Sequence, residues 1–313
     1  MTKCKLKIII FAIVFFAVTF LSIAYPAKLI AECSLWAAIS DKVPEDIIID
    51  HLLNSPNSLK SVAKHHRDGW GIGYYDKDEA KLLKGIIPAD IDQNYNVSVL
   101  EVSRIEPKII VAHVRTASSG CRDNVVNPHP FKRIKNGKQW LFGHNGTLDK
   151  NMLIDIIGED YFNKNLPNTC TYDPPDSWVD SELYFIFLIE HIEENGWNVE
   201  RGIKEAILKL TTVISGSGGG LNFFLTDGDT LWSFRKGRSL YYYYQLYPQF
   251  SAVATQFPYA EKGGWIEVPE DSLVVMKPDL PPVLKTFSAP VAQSRRSPDV
   301  SSGSVGTPTG ASE

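Results

Sequence analysis

Hydrophobic and polar positions divide the chain into stretches of different character. Residues 1–24 hold a lysine-rich start and an almost unbroken apolar run. Residues 33–280 alternate short apolar segments with polar and glycine-rich turns, and residues 281–313 are rich in Pro, Ser and Gly. The alternation predicts one globular domain over residues 33–280, and the final composition predicts a disordered tail over residues 281–313.

Short apolar segments bounded by turn residues predict the strands of this domain. They span residues 33–40, 69–76, 108–115, 139–143, 221–226, 230–235, 239–246, 251–255 and 272–277. Apolar residues at helical spacing predict helices over residues 47–53, 59–64, 181–194 and 199–214. Strands and helices in mixed order, with helices in the middle, indicate an α+β fold of layered sheets and helices.

The N-terminal stretch has the pattern of an export signal. Three lysines precede the apolar run, Ser22 and Ala24 supply small residues near its end, and Pro26 breaks any helix there. We predict a signal peptide over residues 1–24, a short propeptide over residues 25–32, and a periplasmic or secreted protein. The competing interpretation is a membrane anchor formed by residues 8–25, because the run has the minimum length of a spanning helix.

Charge and cysteine content narrow the choice of partners. The net charge of −4 leaves no basic footprint for nucleic acid, so only the N-terminal segment predicts contact with a membrane. We expect no cofactor. If Cys33 is catalytic and Cys4 leaves with the signal, Cys121 and Cys170 remain, and whether they form a disulfide stays open.

Five short segments carry residues suited to amide chemistry. They are Cys33-Ser-Leu-Trp, Asp68-Gly-Trp-Gly-Ile, Ala112-His-Val-Arg-Thr-Ala-Ser-Ser-Gly, Gly143-His-Asn-Gly-Thr and Asp180-Ser-Glu. Each also has an ordinary interpretation when it is taken alone. Asn145-Gly146 is typical of a hairpin turn, Asp180 of a helix N-cap, and Arg115 of a solvated charge at a strand end.

Taken together and in this order, the five segments resemble the glutaminase domain of class II glutamine amidotransferases, which are N-terminal nucleophile hydrolases. The resemblance runs from Cys33 to about residue 277 and is strongest to small stand-alone members that hydrolyse γ-glutamyl amides. It implies a four-layer αββα sandwich. It also implies a nucleophilic cysteine at the first position of the mature protein.

The resemblance implies the catalytic roles of three residues. Cys33 would be the nucleophile, and its own α-amino group, with a reference pKa of about 7.7–8.0, would accept the thiol proton. Asn145 would donate its side-chain amide to the tetrahedral oxyanion, and Gly146 would donate its backbone N–H.

The resemblance also implies how the substrate is held. Arg115 would pair with the α-carboxylate of the glutamyl group, Asp180 would receive the α-ammonium, and Ser118 would help to line the pocket. Thr116 and Ser119 stand where some synthase-linked members carry Trp and His. This difference argues against coupling to a second active site.

These observations predict an exported amidohydrolase that cleaves the γ-amide of glutamine or of another small γ-glutamyl compound, with water as the acceptor. A different N-terminal-cysteine acylase would share Cys33 but gives no reason for Arg115 and Asp180 together. An uncleaved N-terminus would instead give a membrane-anchored, non-catalytic γ-glutamyl-binding module. We expect no metal site, because no histidine pair has the i, i+4 spacing of zinc proteases and no Cys-x-x-Cys is present.

Overall fold

The computed structural model describes residues 33–118, 120, 123–169, 174–214 and 219–287. Within these residues thirteen strands form two antiparallel sheets. The strands are β1 (Ser34–Ile39), β2 (Trp70–Asp76), β3 (Glu79–Gly85), β4 (Ile109–Val114), β5 (Phe131–Lys135), β6 (Lys138–Asn145), β7 (Asn222–Thr226), β8 (Leu231–Arg235), β9 (Tyr241–Leu246), β10 (Gln249–Ala254), β11 (Ile266–Glu267), β12 (Ser272–Lys277) and β13 (Leu280–Thr286). The first sheet has the order β11-β9-β10-β1-β4-β2-β3, and the second has the order β13-β12-β8-β7-β6-β5.

Helices cover the outer faces of both sheets. The described helices are α1 (Glu45–Ile49), α2 (Leu59–Val62), α3 (Gln93–Ile105), α4 (Lys150–Ile157), α5 (Glu159–Lys164), α6 (Asp180–Glu194) and α7 (Val199–Val213). A π-helical turn at Asp50–Asn54 follows α1, and a 3₁₀ turn at Ala63–His65 follows α2. Residues of α1 to α3 share a core with the first sheet, and residues of α4 to α7 share a core with the second.

Strand β1 shows why the layers form. Leu35, Ala37 and Ile39 belong to the core between the two sheets, whereas Trp36 and Ala38 belong to the core beneath α1 to α3. Because successive side chains of a strand point to opposite faces, this run of apolar residues buries both faces of the sheet. The predicted four-layer αββα sandwich is therefore confirmed.

The strand register of the first sheet places the site residues. Ser34 of β1 pairs with Val114 of β4, and Val114 also pairs with Trp70 of β2. Because these strands run antiparallel, the residue that precedes β1 and the residue that follows β4 meet at the same end of the sheet. Those residues are Cys33 and Arg115.

All of the strands and helices predicted from periodicity are confirmed, with small shifts at their ends. The sequence did not predict β3, β5, β11, β13, α3, α4 or α5. Helix α3 illustrates the reason, because Val97, Leu100 and Ile105 are exposed and its apolar residues do not fall on one face.

Strand β13 corrects the predicted end of the domain at residue 280. Residues 280–286 pair with β12, with Val283 opposite Val275 and Leu284 opposite Val274. The composition after Pro278, rich in Pro, Ser and Gly, indicated the end of regular structure. In the structure β13 is the edge strand of the second sheet, and Pro281 and Pro282 lie where its register with β12 shifts, so the ladder does not need their missing N–H groups.

Some predictions concern residues outside the described ranges. They include the signal peptide and propeptide of residues 1–32, the tail from residue 288, and Cys121 and Cys170. None of the helices in the described ranges is long and apolar enough to cross a membrane.

Candidate active site

Cys33 lies at the end of the first sheet, against the segment that leaves β4. Its thiol donates to the carbonyl oxygen of Thr116 at 3.3 Å, and the backbone N–H of Thr116 donates to Sγ at 3.3 Å. The two hydrogen bonds fix the sulfur beside the residue that follows Arg115.

The surroundings of Cys33 disfavour its ionised form. Burial raises the pKa of the Cys33 thiol to about 11, and the charges of Asp180 and Asp68 act in the same direction. The hydrogen bond from Thr116 and the charge of Arg115 oppose this rise without cancelling it. The thiol is therefore protonated at neutral pH, and a nucleophilic role requires a base that removes its proton.

Arg115 is held in place from both sides of its backbone. Its N–H donates to the carbonyl oxygen of Gly69 at 2.9 Å, and its carbonyl oxygen accepts from the N–H of Asp68 at 3.0 Å. The carboxylate of Asp68 accepts from the N–H of Ala117 at 2.7 Å, which fixes the next turn of the chain. Arg115 is only 2% exposed, so its guanidinium is a desolvated cation suited to binding a carboxylate.

His66 supports the same segment and was not assigned a role from the sequence. Its Nε2 lies 3.1 Å from the hydroxyl of Ser34, and its Nδ1 lies 3.0 Å from the hydroxyl of Thr116. The Ser34 hydroxyl donates onward to Gln256, so it accepts from Nε2, and the Thr116 hydroxyl donates to Nδ1. Burial lowers the pKa of His66 to about 4, which keeps this neutral tautomer in place.

Asp180 faces Arg115 and Cys33 from the second sheet's helical layer. It is the first residue of α6 and is 2% exposed, and its Oδ2 accepts from the N–H of Leu148 at 2.8 Å. The helix N-terminus favours a negative charge at this position. Asp180 therefore presents a buried carboxylate, the group that a substrate ammonium or N–H requires.

His144 joins α6 to the chain that precedes β7. Its Nε2 is 3.1 Å from the carbonyl oxygen of Gly220, which can only accept, so Nε2 carries the proton. Its Nδ1 lies 2.9 Å from the hydroxyl of Ser181 and accepts from it. Burial lowers the pKa of His144, so the ring is neutral. His144 thus positions the end of β6 against the start of α6.

Gly146 follows β6 at a place where no side chain fits. A Cβ at this position would lie 2.0 Å from the carbonyl oxygen of Gly220 and 2.5 Å from Nε2 of His144. Asn145, the last residue of β6, is 3% exposed and pairs with Asn222 of β7. The sheet therefore fixes the two predicted oxyanion donors at one strand end.

Five of the six predicted site residues line one pocket. The lining residues are Cys33, Arg115, Thr116, Ser118, His129, His144, Gly146, Val179, Asp180 and Ser181. Asn145 directly precedes one of them. The sequence missed Thr116 and Ser181 as supporting residues, although each lies inside a segment that it singled out.

Two further histidines pack together beside this pocket. The rings of His113 and His129 have centroids 4.2 Å apart, and burial lowers the pKa of both well below the usual value. No group of three or more His, Cys, Asp or Glu side chains in the described ranges is arranged to hold a metal ion.

The pocket is narrow. Its volume is about 10 Å³, which is roughly the space that one water molecule needs.

Comparison with protein families gives a match over most of the domain. The sequence model of the class II glutamine amidotransferases matches residues 33–262 and begins at Cys33. The chain belongs to this family. Class II glutamine amidotransferases hydrolyse an amide or transfer its nitrogen, and the site residues above lie within the matched range.

Curated relatives of this class II glutamine amidotransferase include an uncharacterised protein of Methanocaldococcus jannaschii. It is 29% identical over 203 residues, which is 64% of this chain and 52% of the relative. A protein of Haemophilus influenzae named "Putative glutamine amidotransferase" is 31% identical over 173 residues, which is 52% of this chain and 50% of the relative. The chain thus spans about half the length of these relatives.

Solved structures support the fold. A glutamine aminotransferase class-II domain protein from Silicibacter pomeroyi gives a TM-score of 0.51 at 19% identity, covering 82% of this chain and all of that chain. Glutamine phosphoribosylpyrophosphate amidotransferase from B. subtilis gives a TM-score of 0.56 at 18% identity, covering 82% of this chain and 49% of that one. Both share the architecture of this class II glutamine amidotransferase.

Proposed function

We propose that the protein is an amidohydrolase that cleaves the γ-amide of glutamine or of a γ-glutamyl compound through a thioester on Cys33. The observation that carries this proposal is the convergence of Cys33, Arg115 and Asp180 in one buried pocket. A thiol, a desolvated cation and a desolvated anion match the three groups of a glutamyl amide. The carboxamide meets Sγ, the α-carboxylate meets Arg115, and the α-ammonium meets Asp180.

The first half of the reaction forms the thioester. The α-amino group of Cys33 accepts the thiol proton, and Sγ attacks the amide carbon. The oxyanion that forms is stabilised by the side-chain amide of Asn145 and the N–H of Gly146, and each donor of this kind contributes ~10²–10³ in rate. The protonated α-amino group of Cys33 then gives its proton to the departing amine as the C–N bond of the substrate breaks.

The second half releases the acid. Water gives a proton to the α-amino group and attacks the thioester carbon at the same oxyanion site. The C–S bond breaks, and the proton returns to sulfur. The products are glutamate and the free amine or ammonia, so water is the only co-reactant.

This mechanism requires Cys33 to be the first residue of the active form. While Glu32 is attached, the nitrogen of Cys33 is an amide without basicity, and the buried thiol has a pKa of about 11. We therefore propose export, signal removal near residue 24, and loss of residues 25–32. That loss is a single slow turnover in which the Cys33 thiol attacks the Glu32 carbonyl, and the departing Cys33 nitrogen takes the thiol proton as the C–N bond breaks. Water then hydrolyses the resulting thioester and frees the thiol and the α-amino group. The family match that begins at Cys33 supports the proposal that Cys33 is the first residue of the active form.

The test combines N-terminal sequencing with an activity assay. We expect protein recovered from an exporting host to begin at Cys33 and to release glutamate from glutamine or from a γ-glutamyl amide. Cys33→Ala should release none and should retain residues 25–32. Absence of glutamate release from every γ-glutamyl compound by protein that begins at Cys33 would overturn the proposal. Loss of residues 25–32 from Cys33→Ala would overturn the self-processing step alone.

A further inference from the structure

Two larger cavities lie beside the catalytic pocket, and we call them together the basic groove. The first, of about 380 Å³, is lined by Leu82, Lys84, Val125, Val126, Phe131, Lys132, Asn168, Thr169 and Glu182. The second, of about 620 Å³, is lined by Lys132, Arg133, Ile134, Lys135, Lys164, Asn165 and Asn168. They share Lys132 and Asn168 in their linings, so they are adjacent.

One segment of chain connects the groove to the catalytic pocket. His129 lines the catalytic pocket, Phe131 and Lys132 line the first cavity, and residues 132–135 line the second. The rings of His129 and Phe131 are in contact, with centroids 4.7 Å apart. At roughly 3.3 Å per residue, residues 129–135 span about 20 Å, the length of an extended peptide of about six residues.

The groove is positively charged within an acidic protein. Among the described residues, its lining has four cationic side chains, Lys132, Arg133, Lys135 and Lys164, and one carboxylate, Glu182. It also holds Lys84, whose pKa burial lowers to about 7. The chain as a whole has a net charge of −4. A concentration of cations on one surface of an acidic protein attracts an anionic ligand.

The one carboxylate of the lining is engaged by the protein. Glu182 accepts from the N–H groups of Asn168 and Thr169 at 2.8–3.0 Å and from Arg133 at 3.1 Å. It therefore balances Arg133 and leaves the lysines as the charge that faces the groove. Lys135 is 3.6 Å from Glu193, and Lys164 is exposed in the last turn of α5.

Two lysines of the lining retain donors for a ligand. Lys84 donates to the carbonyl oxygen of Val126 at 3.0 Å, and Lys132 donates to that of Ala80 at 2.8 Å. The Lys132 ammonium has three N–H donors, so two remain. Burial lowers the pKa of Lys84 to about 7, and its neutral amine keeps one further N–H.

The backbone of β5 suits an extended ligand. Strand β5 is the edge of the second sheet and pairs with β6 on one side. An edge strand presents N–H and C=O groups to which an extended peptide can add as a further strand. Residues 132–135 all line the second cavity, so this strand edge forms part of the groove wall.

The groove begins at the α-nitrogen end of the bound glutamyl group. Asp180, proposed to meet that nitrogen, is on the same turn of α6 as Glu182 of the groove. Val179 of the pocket donates its N–H to the hydroxyl of Thr169 of the groove at 3.1 Å. On the first sheet, Lys84 belongs to β3, which is separated from β1 and Cys33 by β4 and β2. The groove therefore leads away from the scissile amide.

We propose that the substrate is an acidic peptide with a C-terminal glutamine, and that the residues before this glutamine bind in the basic groove. This inference rests on the proposed function. Arg115 keeps the free α-carboxylate, and Asp180 accepts the peptide N–H in place of an ammonium. The reaction is then peptide-glutamine plus water giving peptide-glutamate plus ammonia.

The kinetic test compares ammonia release from four compounds at low salt: glutamine, Glu-Glu-Glu-Gln, Ala-Ala-Ala-Gln and Gln-Glu-Glu-Glu. We expect kcat/KM for Glu-Glu-Glu-Gln to exceed that for Ala-Ala-Ala-Gln about tenfold, as two or three exposed ion pairs allow. The isomer with an N-terminal glutamine should be a poor substrate, because Arg115 loses its carboxylate. Equal kcat/KM for the acidic and alanine peptides, or preference for the isomer, overturns the inference.

Variants locate the effect. The double variant Lys132→Gln/Lys164→Glu should remove the preference for the acidic peptide and leave glutamine turnover unchanged. Lys164→Glu alone, at an exposed position, should reduce the preference about threefold. Lys204→Glu, on the exposed face of α7, is the matched control and should change nothing. A preference that survives the double variant contradicts the assignment to the groove.

A binding measurement separates this inference from the proposed function. The processed form, produced as residues 33–313 with Cys33→Ala, is titrated against fluorescein-labelled Glu-Glu-Glu-Gln, and the anisotropy is recorded. Binding that the double variant abolishes and Lys204→Glu retains supports the groove even if no compound releases ammonia, in which case only the proposed function fails. Equal binding by all three proteins overturns the groove.

Discussion

The catalytic pocket and the basic groove lie at the two ends of residues 129–135, and they hold charge in different ways. In the pocket, Arg115 and Asp180 are each 2% exposed in a volume of about 10 Å³. In the groove, the lysines border cavities of about 380 and 620 Å³, and Lys164 is exposed.

The difference concerns how each region selects its ligand. Buried charges are weakly screened and are costly to leave without a partner, so the pocket discriminates by fit. Exposed charges attract at longer range, contribute little each, and are screened by salt. The pocket therefore sets which chemical group reacts, and the groove adds a modest preference for what is attached to it.

Glu182, at the boundary between the two regions, gives the largest expected effect. Glu182→Gln removes the charge that balances Arg133 and places an amide against two backbone N–H donors. We expect the free energy of unfolding, measured with urea, to fall by about 3–5 kcal/mol. The matched control is Glu190→Gln on the same helix, where burial raises the pKa of the carboxyl to about 7 and the change is within about 1 kcal/mol. Equal losses in both variants would contradict the role of Glu182.

Substitutions of Arg115 test the role of buried charge in the catalytic pocket. Arg115→Met should lower kcat/KM for glutamine by about 10²–10³, because a buried carboxylate loses its charged partner. Circular dichroism and the melting temperature report whether the fold is kept. Arg115→Lys should recover part of the loss, since it restores the charge without the two-pronged geometry. A reduction below tenfold in Arg115→Met would remove Arg115 from the substrate site.

The buried histidines predict a loss of stability in acid. Burial lowers the pKa of His51 and of His66 from 6.5 to about 4 in the folded protein. The unfolded chain takes up protons first as the pH falls, so stability is full above pH 6.5 and declines towards pH 4. Each histidine should contribute on the order of 3 kcal/mol to this decline.

The measurement is urea unfolding as a function of pH. His66→Gln keeps hydrogen-bonding atoms without the titration, so its curve should be flatter than that of the wild type. His65→Gln, at the exposed neighbouring position, should flatten the curve only slightly, because burial is the larger cause of the lowered His66 pKa and the charge of His65 the smaller one. Curves of the same slope in all three proteins would show that His66 is not a source of the acid sensitivity.

A change in salt concentration should give the smallest effect, and it compares the buried charge of the catalytic pocket directly with the exposed charges of the basic groove. The KM for glutamine should change less than about twofold between 0.05 and 0.5 M sodium chloride, because Arg115 is buried. The KM for Glu-Glu-Glu-Gln should rise severalfold over the same range. Parallel salt dependence of the two substrates would mean that both depend on exposed charge.

Local signals in the sequence determined much of the fold. Apolar runs between turn residues marked β1, β2, β4, β6 to β10 and β12, and helical spacing marked α6 and α7. The candidate site could also be predicted from the sequence, because its residues lie at the ends of strands or at the start of a helix. Cys33 precedes β1, Arg115 follows β4, Gly146 follows β6, and Asp180 starts α6. A residue at the end of an element has a position that the element itself fixes.

Tertiary structure alone decided the rest. The proline-containing strand β13 belongs to the domain because it pairs with β12 at the edge of the second sheet. No local sequence pattern specifies that pairing. The supporting bonds of His66 and His144 join segments far apart in the chain. The basic groove draws Lys84 from β3, Lys132 from β5 and Lys164 from α5. Each of these lysines is an ordinary solvated residue in the sequence, and only the packing of two sheet edges against the helices makes them one surface.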